Sequence, residues 1–172
     1  MATLIDPAAY LAEHYVYELN MLRWTQATLT ETPEGFNANA LIESFCVHAR
    51  ALMDFYKSRP RQDDVTAQDF TSSGQFSANG TSQIPSDVRT RVNKQIAHLT
   101  ASRENAPQKV DYADRQTLLS AVELDHTAFK SAVQPQYAQC FRDERTFPVT
   151  GIAVGNSGAS ATNHVQVAST TF

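Results

Sequence analysis

The fold is decided by residues 37–56, which read NANALIESFCVHARALMDFY. Apolar residues in this stretch recur every third or fourth position, which is the period of one face of an α-helix. The stripe consists of Ala38, Leu41, Ile42, Phe45, Ala49, Leu52, Met53 and Tyr56. Arg59-Pro60-Arg61 follows the stripe and ends the helix. The pattern therefore predicts a long amphipathic helix that buries one side in a core.

Another helix is predicted before this one. It begins at Asp6-Pro7, because Asp caps a helix and Pro is tolerated at the first helical position. Leu11, Tyr15, Leu19 and Leu22 recur at helical spacing, and the single Trp24 is expected to be a packing residue. The helix is expected to run to about residue 29 and to be broken at residues 32–35, which contain Pro and Gly.

Two more helices are predicted after the central one. One begins near Pro85 and stops before Pro107, and the other begins near Asp111 and ends or kinks at Pro135. The second carries Asp125 on its apolar face. A short fifth helix is expected over residues 136–145. Four amphipathic helices with short connections predict an all-α fold, an antiparallel four- to five-helix bundle.

Two stretches do not read as long helices. Residues 62–83 are polar, with a short helical turn capped by Asp63-Asp64 and ending at Phe70, followed by loop. Residues 149–172 contain Gly, Ser, Ala, Thr and Asn without a single charged side chain. We therefore expect a helical domain over residues 1–148 and a flexible tail over residues 149–172. A weak hairpin pairing residues 152–154 with 165–167 is the alternative for the tail.

The composition and net charge of the chain argue against several classes of function. The chain has 172 residues, a formal net charge of −4 and a pI near 5.7. This charge argues against non-specific coating of nucleic acid, which draws on a large excess of Lys and Arg, but it leaves room for a local basic site. No stretch has the roughly 20 apolar residues of a spanning helix, and the N-terminus lacks secretory-signal features. The expectation is a cytoplasmic protein without a membrane partner, in which Cys46 and Cys140 are reduced core thiols.

The predicted third helix is locally basic. Residues 85–103 hold four cationic side chains against one acidic side chain, Asp87. Arg91 and His98 are seven residues apart, so they point in the same direction two helical turns apart and flank the apolar stripe. A histidine titrates near neutrality and can move a proton of the RNA 2′-OH, while an arginine can hold the phosphate in the transition state. This pair suits metal-independent RNA cleavage.

The same helix supplies the candidate substrate-binding residues. Arg89, Asn93 and Lys94 are placed to assist in binding the RNA. His48 lies on the central helix, about 80° from its apolar stripe. It either faces His98 across the bundle or is a hydrogen-bonded histidine at the core boundary.

The segment Arg91-Val92-Asn93-Lys94-Gln95-Ile96-Ala97-His98 resembles the motif of the HEPN superfamily (higher eukaryotes and prokaryotes nucleotide-binding), an Arg followed by four to six residues and a His. The resemblance covers residues 7–133. It implies an all-α bundle, RNA as the partner and a homodimer that cleaves RNA across its interface, in many members as a toxin or defence protein. Arg91 and His98 would then be the catalytic pair. Val92 departs from the polar residue that often follows the Arg in this family.

A second hypothesis is a non-enzymatic helical module that binds a protein partner. It requires an exposed apolar face. It would be marked by Arg91 paired with a carboxylate and His98 packed against the fourth helix, whereas the ribonuclease hypothesis needs both side chains exposed together.

Other chemistries find less support. Glu123 and His126 have the Glu-x-x-His spacing of di-iron bundles, but such sites need two of these motifs. The chain also lacks a phosphate loop, GxGxxG, HExxH and GxSxG. We therefore expect no metal and no cofactor.

Overall fold

The computed structural model describes residues 6–97 and 109–148. Helix α1 covers residues 7–31 and consists of three consecutive segments: α-helix Pro7–Ala9, π-helix Tyr10–Tyr15 and α-helix Val16–Glu31. Helix α2 is Phe36–Phe55, α3 is Ser86–Ala97 and α4 is Tyr112–Ala132. Short 3₁₀ helices occupy Ala67–Phe70, Thr81–Gln83 and Pro135–Phe141. The predicted all-α bundle is confirmed.

The helix ends follow the capping signals in the sequence. The carboxylate of Asp6 accepts hydrogen bonds from the backbone N–H groups of Ala8 and Ala9, each at 3.0 Å. Asp111 caps α4 in a capping box with Asp114. Both residues satisfy backbone donors that have no partner inside the helix.

Three details differ from expectation. The π-helical turn Tyr10–Tyr15 interrupts α1, which periodicity alone does not reveal. The turn ending at Phe70 is capped by Thr66 with Asp69, and not by Asp63-Asp64. The predicted short fifth helix is a 3₁₀ helix, Pro135–Phe141. The expectations for the tail and for the end of the third helix lie outside the described residues.

The core lies between all four helices. α1 packs most extensively against α2, and the four-residue connection between them makes the two helices antiparallel neighbours. Aromatic rings fill the centre, where Tyr15, Phe55 and Tyr56 surround Phe129 in edge-to-face contacts. Cys46 and Cys140 are free and buried, as predicted. Burial raises the pKa of the Cys46 thiol to about 12, so this thiol is a packing group.

The long connection between α2 and α3 is held against α4. The carboxylate of Asp125, fully buried, accepts hydrogen bonds from the backbone N–H groups of Asn79, Gly80 and Thr81 at 2.7–2.8 Å. It also accepts the hydroxyl of Thr81 at 2.5 Å. A Cβ on Gly80 would lie 2.1 Å from the carbonyl oxygen of Ala121 on α4. The connection therefore forms a fixed wall beside α2 and α3.

Within the described residues, no helix is both long enough and apolar enough to cross a bilayer.

Candidate functional site

Arg91 on α3 is held by two carboxylates. Its Nε and Nη2 donate to the two oxygens of Asp114 on α4, both at 2.7 Å, and its Nη1 donates to Asp87 one turn earlier at 2.9 Å. Hydrogen bonds from Arg91 to these carboxylates, with those to Asp114 having the largest effect, raise the pKa of Arg91 against the opposing effect of burial. Its side chain is 20% exposed, and that of Asp114 is 8% exposed. Arg91 thus ties α3 to α4, and two negative charges stand beside it.

His98 lies outside the described residues, so its distance to Arg91 is not part of the structure. Of the other sequence candidates on α3, Asn93 is exposed and Lys94 is half-buried. The pairing of Arg91 with carboxylates is one of the two features that mark the interaction-module hypothesis.

His48 is a buried, hydrogen-bonded histidine at the core boundary. Its Nδ1 lies 2.7 Å from a carboxylate oxygen of Glu18 on α1, and its ring makes an edge contact with Tyr17. These partners hold the His48 imidazole against α1.

Arg89 has a different environment from Arg91. Its guanidinium donates to the backbone carbonyls of Thr81 and Ile84 and makes a weak contact with the sulfur of Met53. Among the described residues it has no carboxylate partner. A cation that is satisfied only by neutral acceptors keeps its charge available for an anionic ligand.

Arg89 lines a cleft of about 430 Å³. The cleft lies between the end of α2, the connection to α3 and α3 itself, and the described residues that line it include no Asp or Glu. Its polar lining comprises Lys57, Ser58, Gln68, Ser77, Thr81, Ser82 and Arg89, with Met53, Tyr56, Phe76 and Ala78 forming the rest. We call this space the Arg89 cleft.

Lys57 stands at the same cleft but is already paired. Its Nζ lies 2.5 Å from Asp64 and 3.5 Å from Asp54, neither of which lines the cleft. Hydrogen bonds to Lys57 and to the backbone N–H of Arg61 lower the pKa of Asp64. Arg89 is therefore the principal cation of the cleft. Of the residues that line the cleft, the sequence predicts Arg89 as a binding residue, but not Lys57 or the serines.

A second polar group is buried in the core. Tyr15 Oη lies 2.6 Å from Tyr56 Oη and 2.7 Å from His126 Nδ1, and His126 Nε2 lies 2.9 Å from Glu144. Burial lowers the pKa of His126, against the opposing effect of Glu144, so its imidazole is neutral near pH 7. Nε2–H then donates to the Glu144 carboxylate, Tyr15 O–H donates to Nδ1 and Tyr56 O–H donates to Tyr15. Tyr15, Tyr56 and His126 are each at most 3% exposed, so these hydrogen bonds brace the core.

Glu144 is the last member of this series of hydrogen bonds, and cationic side chains surround its carboxylate. It accepts hydrogen bonds from Lys130 at 2.5 Å and from Arg23 at 3.0 Å, and Arg23 also forms a two-pronged ion pair with Glu123. Burial alone would raise the pKa of Glu144, but hydrogen bonds and charges from Lys130, His126 and Arg23 outweigh it and lower the pKa to about 2. Glu123 and His126 are thus engaged by Arg23 and by the hydrogen-bond chain. No group of three or more side chains able to hold a metal occurs among the residues the structure describes.

The outer side of α1 carries a second apolar stripe. Tyr17, Met21 and Trp24 follow each other at helical spacing, and Tyr17 is 52% and Trp24 41% exposed. The prediction of Trp24 as a packing residue is therefore wrong for the described part of the chain. Together with Asn20, Asp143, Arg145 and Phe147, these residues line a groove of about 590 Å³, which we call the Trp24 groove.

Comparison of the chain with protein-family models, with curated proteins and with solved structures finds no match.

Proposed function

We propose that the protein binds RNA as a HEPN-like helical protein, with the phosphate contact in the Arg89 cleft. The observation that carries the proposal is that Arg89, without a carboxylate partner among the described residues, lines a cleft with no acidic side chain. In a chain of net charge −4, such a site concentrates the attraction for phosphate in one place. RNA as the partner comes from the resemblance of residues 91–98 to the HEPN motif.

The pairing of Arg91 assigns it a different role from Arg89. With Asp87 and Asp114 beside it, the local charge around Arg91 is negative and repels a phosphate. Three of its five N–H donors are used, so a phosphate group would have to compete with two carboxylates. We therefore propose RNA binding as the function. Metal-independent RNA cleavage by Arg91 and His98 is a further activity that is tested separately.

The test of binding is fluorescence anisotropy with short single-stranded RNA at several salt concentrations. Arg89→Met is expected to weaken binding by about tenfold and to reduce the salt dependence by about one phosphate contact. Arg50→Met is the matched control, because Arg50 is exposed on α2 and pairs only weakly with Asp54 at 4.0 Å. Circular dichroism checks the fold of both variants. Absence of RNA binding by the wild type at low salt would contradict the proposal.

The test of cleavage uses the same RNAs with EDTA present. Wild type, Arg91→Met and His98→Ala are compared after each has been shown to fold. Loss of cleavage in both variants supports a HEPN-type ribonuclease. If the wild type binds RNA but leaves it intact, the protein binds RNA without cleaving it.

A non-enzymatic protein-interaction module is the second candidate, and two observations favour it. Arg91 is paired with carboxylates, and the Trp24 groove exposes aromatic side chains of the kind that dominate interface energies. Trp24 is the only tryptophan, so its emission reports directly on this groove. If a second copy of the protein covers the Trp24 groove, the Trp24 emission is expected to shift to shorter wavelength as the protein concentration rises. Light scattering is then expected to give twice the mass of the monomer.

Trp24→Ser is expected to abolish such an association. Leu124→Ser, on the exposed face of α4 (56% exposed), is the matched control. A constant mass and emission maximum over the whole concentration range would contradict self-association through this groove.

A further inference from the structure

The Arg89 cleft has the volume of a site for one small ligand. It differs in this from the grooves that bind single-stranded nucleic acid. Its volume of about 430 Å³ lies in the lower part of the roughly 300–1,000 Å³ of small-ligand sites. Grooves that track single-stranded nucleic acid hold several consecutive nucleotides. Here four separate parts of the chain form the walls: the end of α2, Gln68, residues 76–82 and Arg89 of α3.

One wall of the cleft is closed and rigid. Residues 79–81 are fixed to α4 by the four hydrogen bonds to Asp125, and Gly80 packs against Ala121 without room for a side chain. Arg89 fastens the same wall through the Thr81 carbonyl. A strand passing through the cleft needs an entrance and an exit, and this wall allows no exit toward α4. The cleft is therefore bounded on the side of α4, and a ligand enters from its other sides.

The donors in the cleft suit a phosphate monoester. Arg89 has two N–H donors beyond the three it already uses, and Ser58, Ser77 and Ser82 are exposed hydroxyl donors around it. A phosphate monoester offers three acceptor oxygens and about −1.5 to −2 charge at pH 7, whereas an internal phosphodiester carries about −1. The larger charge gains more from a cation that no carboxylate of the described ranges, 6–97 and 109–148, neutralises.

Resting on the proposed function, we infer that the Arg89 cleft binds a terminal phosphate monoester, either at the end of an RNA strand or on a free mononucleotide. The wall held by Asp125 and the anchored guanidinium of Arg89 reduce the ordering cost of binding. The larger charge of a terminal phosphate is the reason why we expect the site to prefer the end of a strand to its middle.

Anisotropy with one labelled RNA sequence, carrying a 5′-phosphate, a 3′-phosphate or neither, tests this inference. At least one phosphorylated form is expected to bind about tenfold more tightly than the unphosphorylated form, and AMP is expected to compete. Ser82→Asp places a negative charge in the cleft and is expected to remove the preference. Ser73→Asp is the matched control, because Ser73 is exposed and does not line the cleft.

The outcomes separate this inference from the proposed function. Equal binding of phosphorylated and unphosphorylated RNA overturns the inference and leaves RNA binding in place. If AMP binds and no RNA does, the proposed function is overturned. The inference about the Arg89 cleft is then supported, with a free mononucleotide as the ligand that carries the phosphate. A preference for phosphorylated RNA that survives Ser82→Asp places the phosphate elsewhere and overturns the inference. Failure of AMP and of every RNA to bind overturns both.

Discussion

Asp125 holds Thr81 at two points, accepting its backbone N–H at 2.7 Å and its hydroxyl at 2.5 Å, across 44 residues of sequence. The carboxylate is fully buried and also accepts the N–H groups of Asn79 and Gly80. One acidic side chain on an apolar helix face therefore fixes the connection that forms the wall of the Arg89 cleft.

Asp125→Ala is expected to lower the free energy of unfolding by about 3 kcal/mol or more, because four donors, three of them in buried hydrogen bonds, lose their acceptor at once. Urea denaturation followed by circular dichroism measures the change. Glu34→Ala, an exposed carboxylate between α1 and α2, is the control and is expected to change stability by about 0.5 kcal/mol or less. Equal stability of the two variants would show that the hydrogen bonds of Asp125 contribute little.

Gly80→Ala is expected to destabilise the protein by about 1–3 kcal/mol, since the added methyl would lie 2.1 Å from the Ala121 carbonyl oxygen and the backbone must shift. Asn79→Ala is the control at the neighbouring exposed position, where the backbone N–H still reaches Asp125. Thermal unfolding compares the two. If Gly80→Ala unfolds at the wild-type temperature, the wall is not packed tightly against α4.

Glu144 is expected to make stability depend on pH in the acid range. Its pKa is about 2 in the folded chain against an ordinary value of 4.5, so the unfolded state binds more protons between these values. The stabilisation is complete above about pH 4.5 and is lost as the pH falls toward 2. Urea unfolding at a series of pH values measures the slope. Glu144→Gln is expected to flatten it in this window, and Glu34→Gln to leave it unchanged.

His126 is expected to make stability depend on pH at higher pH values than Glu144 does, and stability again decreases as the pH falls. Burial lowers its pKa from the ordinary value of 6.5, so the unfolded state takes up a proton first as the pH falls. Stability therefore decreases as the pH is lowered from about 6.5. His126→Gln is expected to lose this part of the pH dependence and to keep only the part of the Glu144 shift that Lys130 and Arg23 produce. A wild-type curve that is flat between pH 7 and 5 would contradict a neutral, buried His126.

Arg91 and Asp114 are expected to be energetically coupled by about 1 kcal/mol or more in a double-mutant cycle, because the two hydrogen bonds between them are short and Asp114 is buried. The cycle uses Arg91→Ala, Asp114→Ala and the double variant, with free energies from urea unfolding. Arg50 and Asp54 form the control pair, exposed and 4.0 Å apart, for which about 0.5 kcal/mol or less is expected. Equal coupling in both pairs would remove the argument that Arg91 serves the fold.

Local signals in the sequence were sufficient for the starts of α1 and α4 and for the buried side of α2. Asp6 and Asp111 mark helix starts because a cap depends on neighbours two or three residues away, which the sequence displays directly. The apolar stripe of residues 37–56 likewise identifies its own buried side, with Phe45, Ala49 and Leu52 in the core.

The site depended on partners distant in the chain, which no local pattern contains. Arg91 looked like a free cation, and its main partner Asp114 lies 23 residues away on another helix. Asp125 looked like an intrusion on an apolar stripe, and its purpose appears only when residues 79–81 are placed against it. Trp24 could belong to either of two apolar stripes of α1, and only the packing of α2 decides between them.

The π-helical turn Tyr10–Tyr15 also bears on how the chain can change in length. A π turn holds one residue more than an α turn, so α1 already accommodates an extra residue at this place. Deleting one residue there would yield a continuous α-helix with Asp6 still ahead of it and the later residues in phase. The same deletion within Val16–Glu31 would rotate the following side chains by about 100° and turn the buried stripe outward. We therefore expect α1 to tolerate loss of one residue better in the turn that contains Leu11 and Tyr15 than in the helix after it.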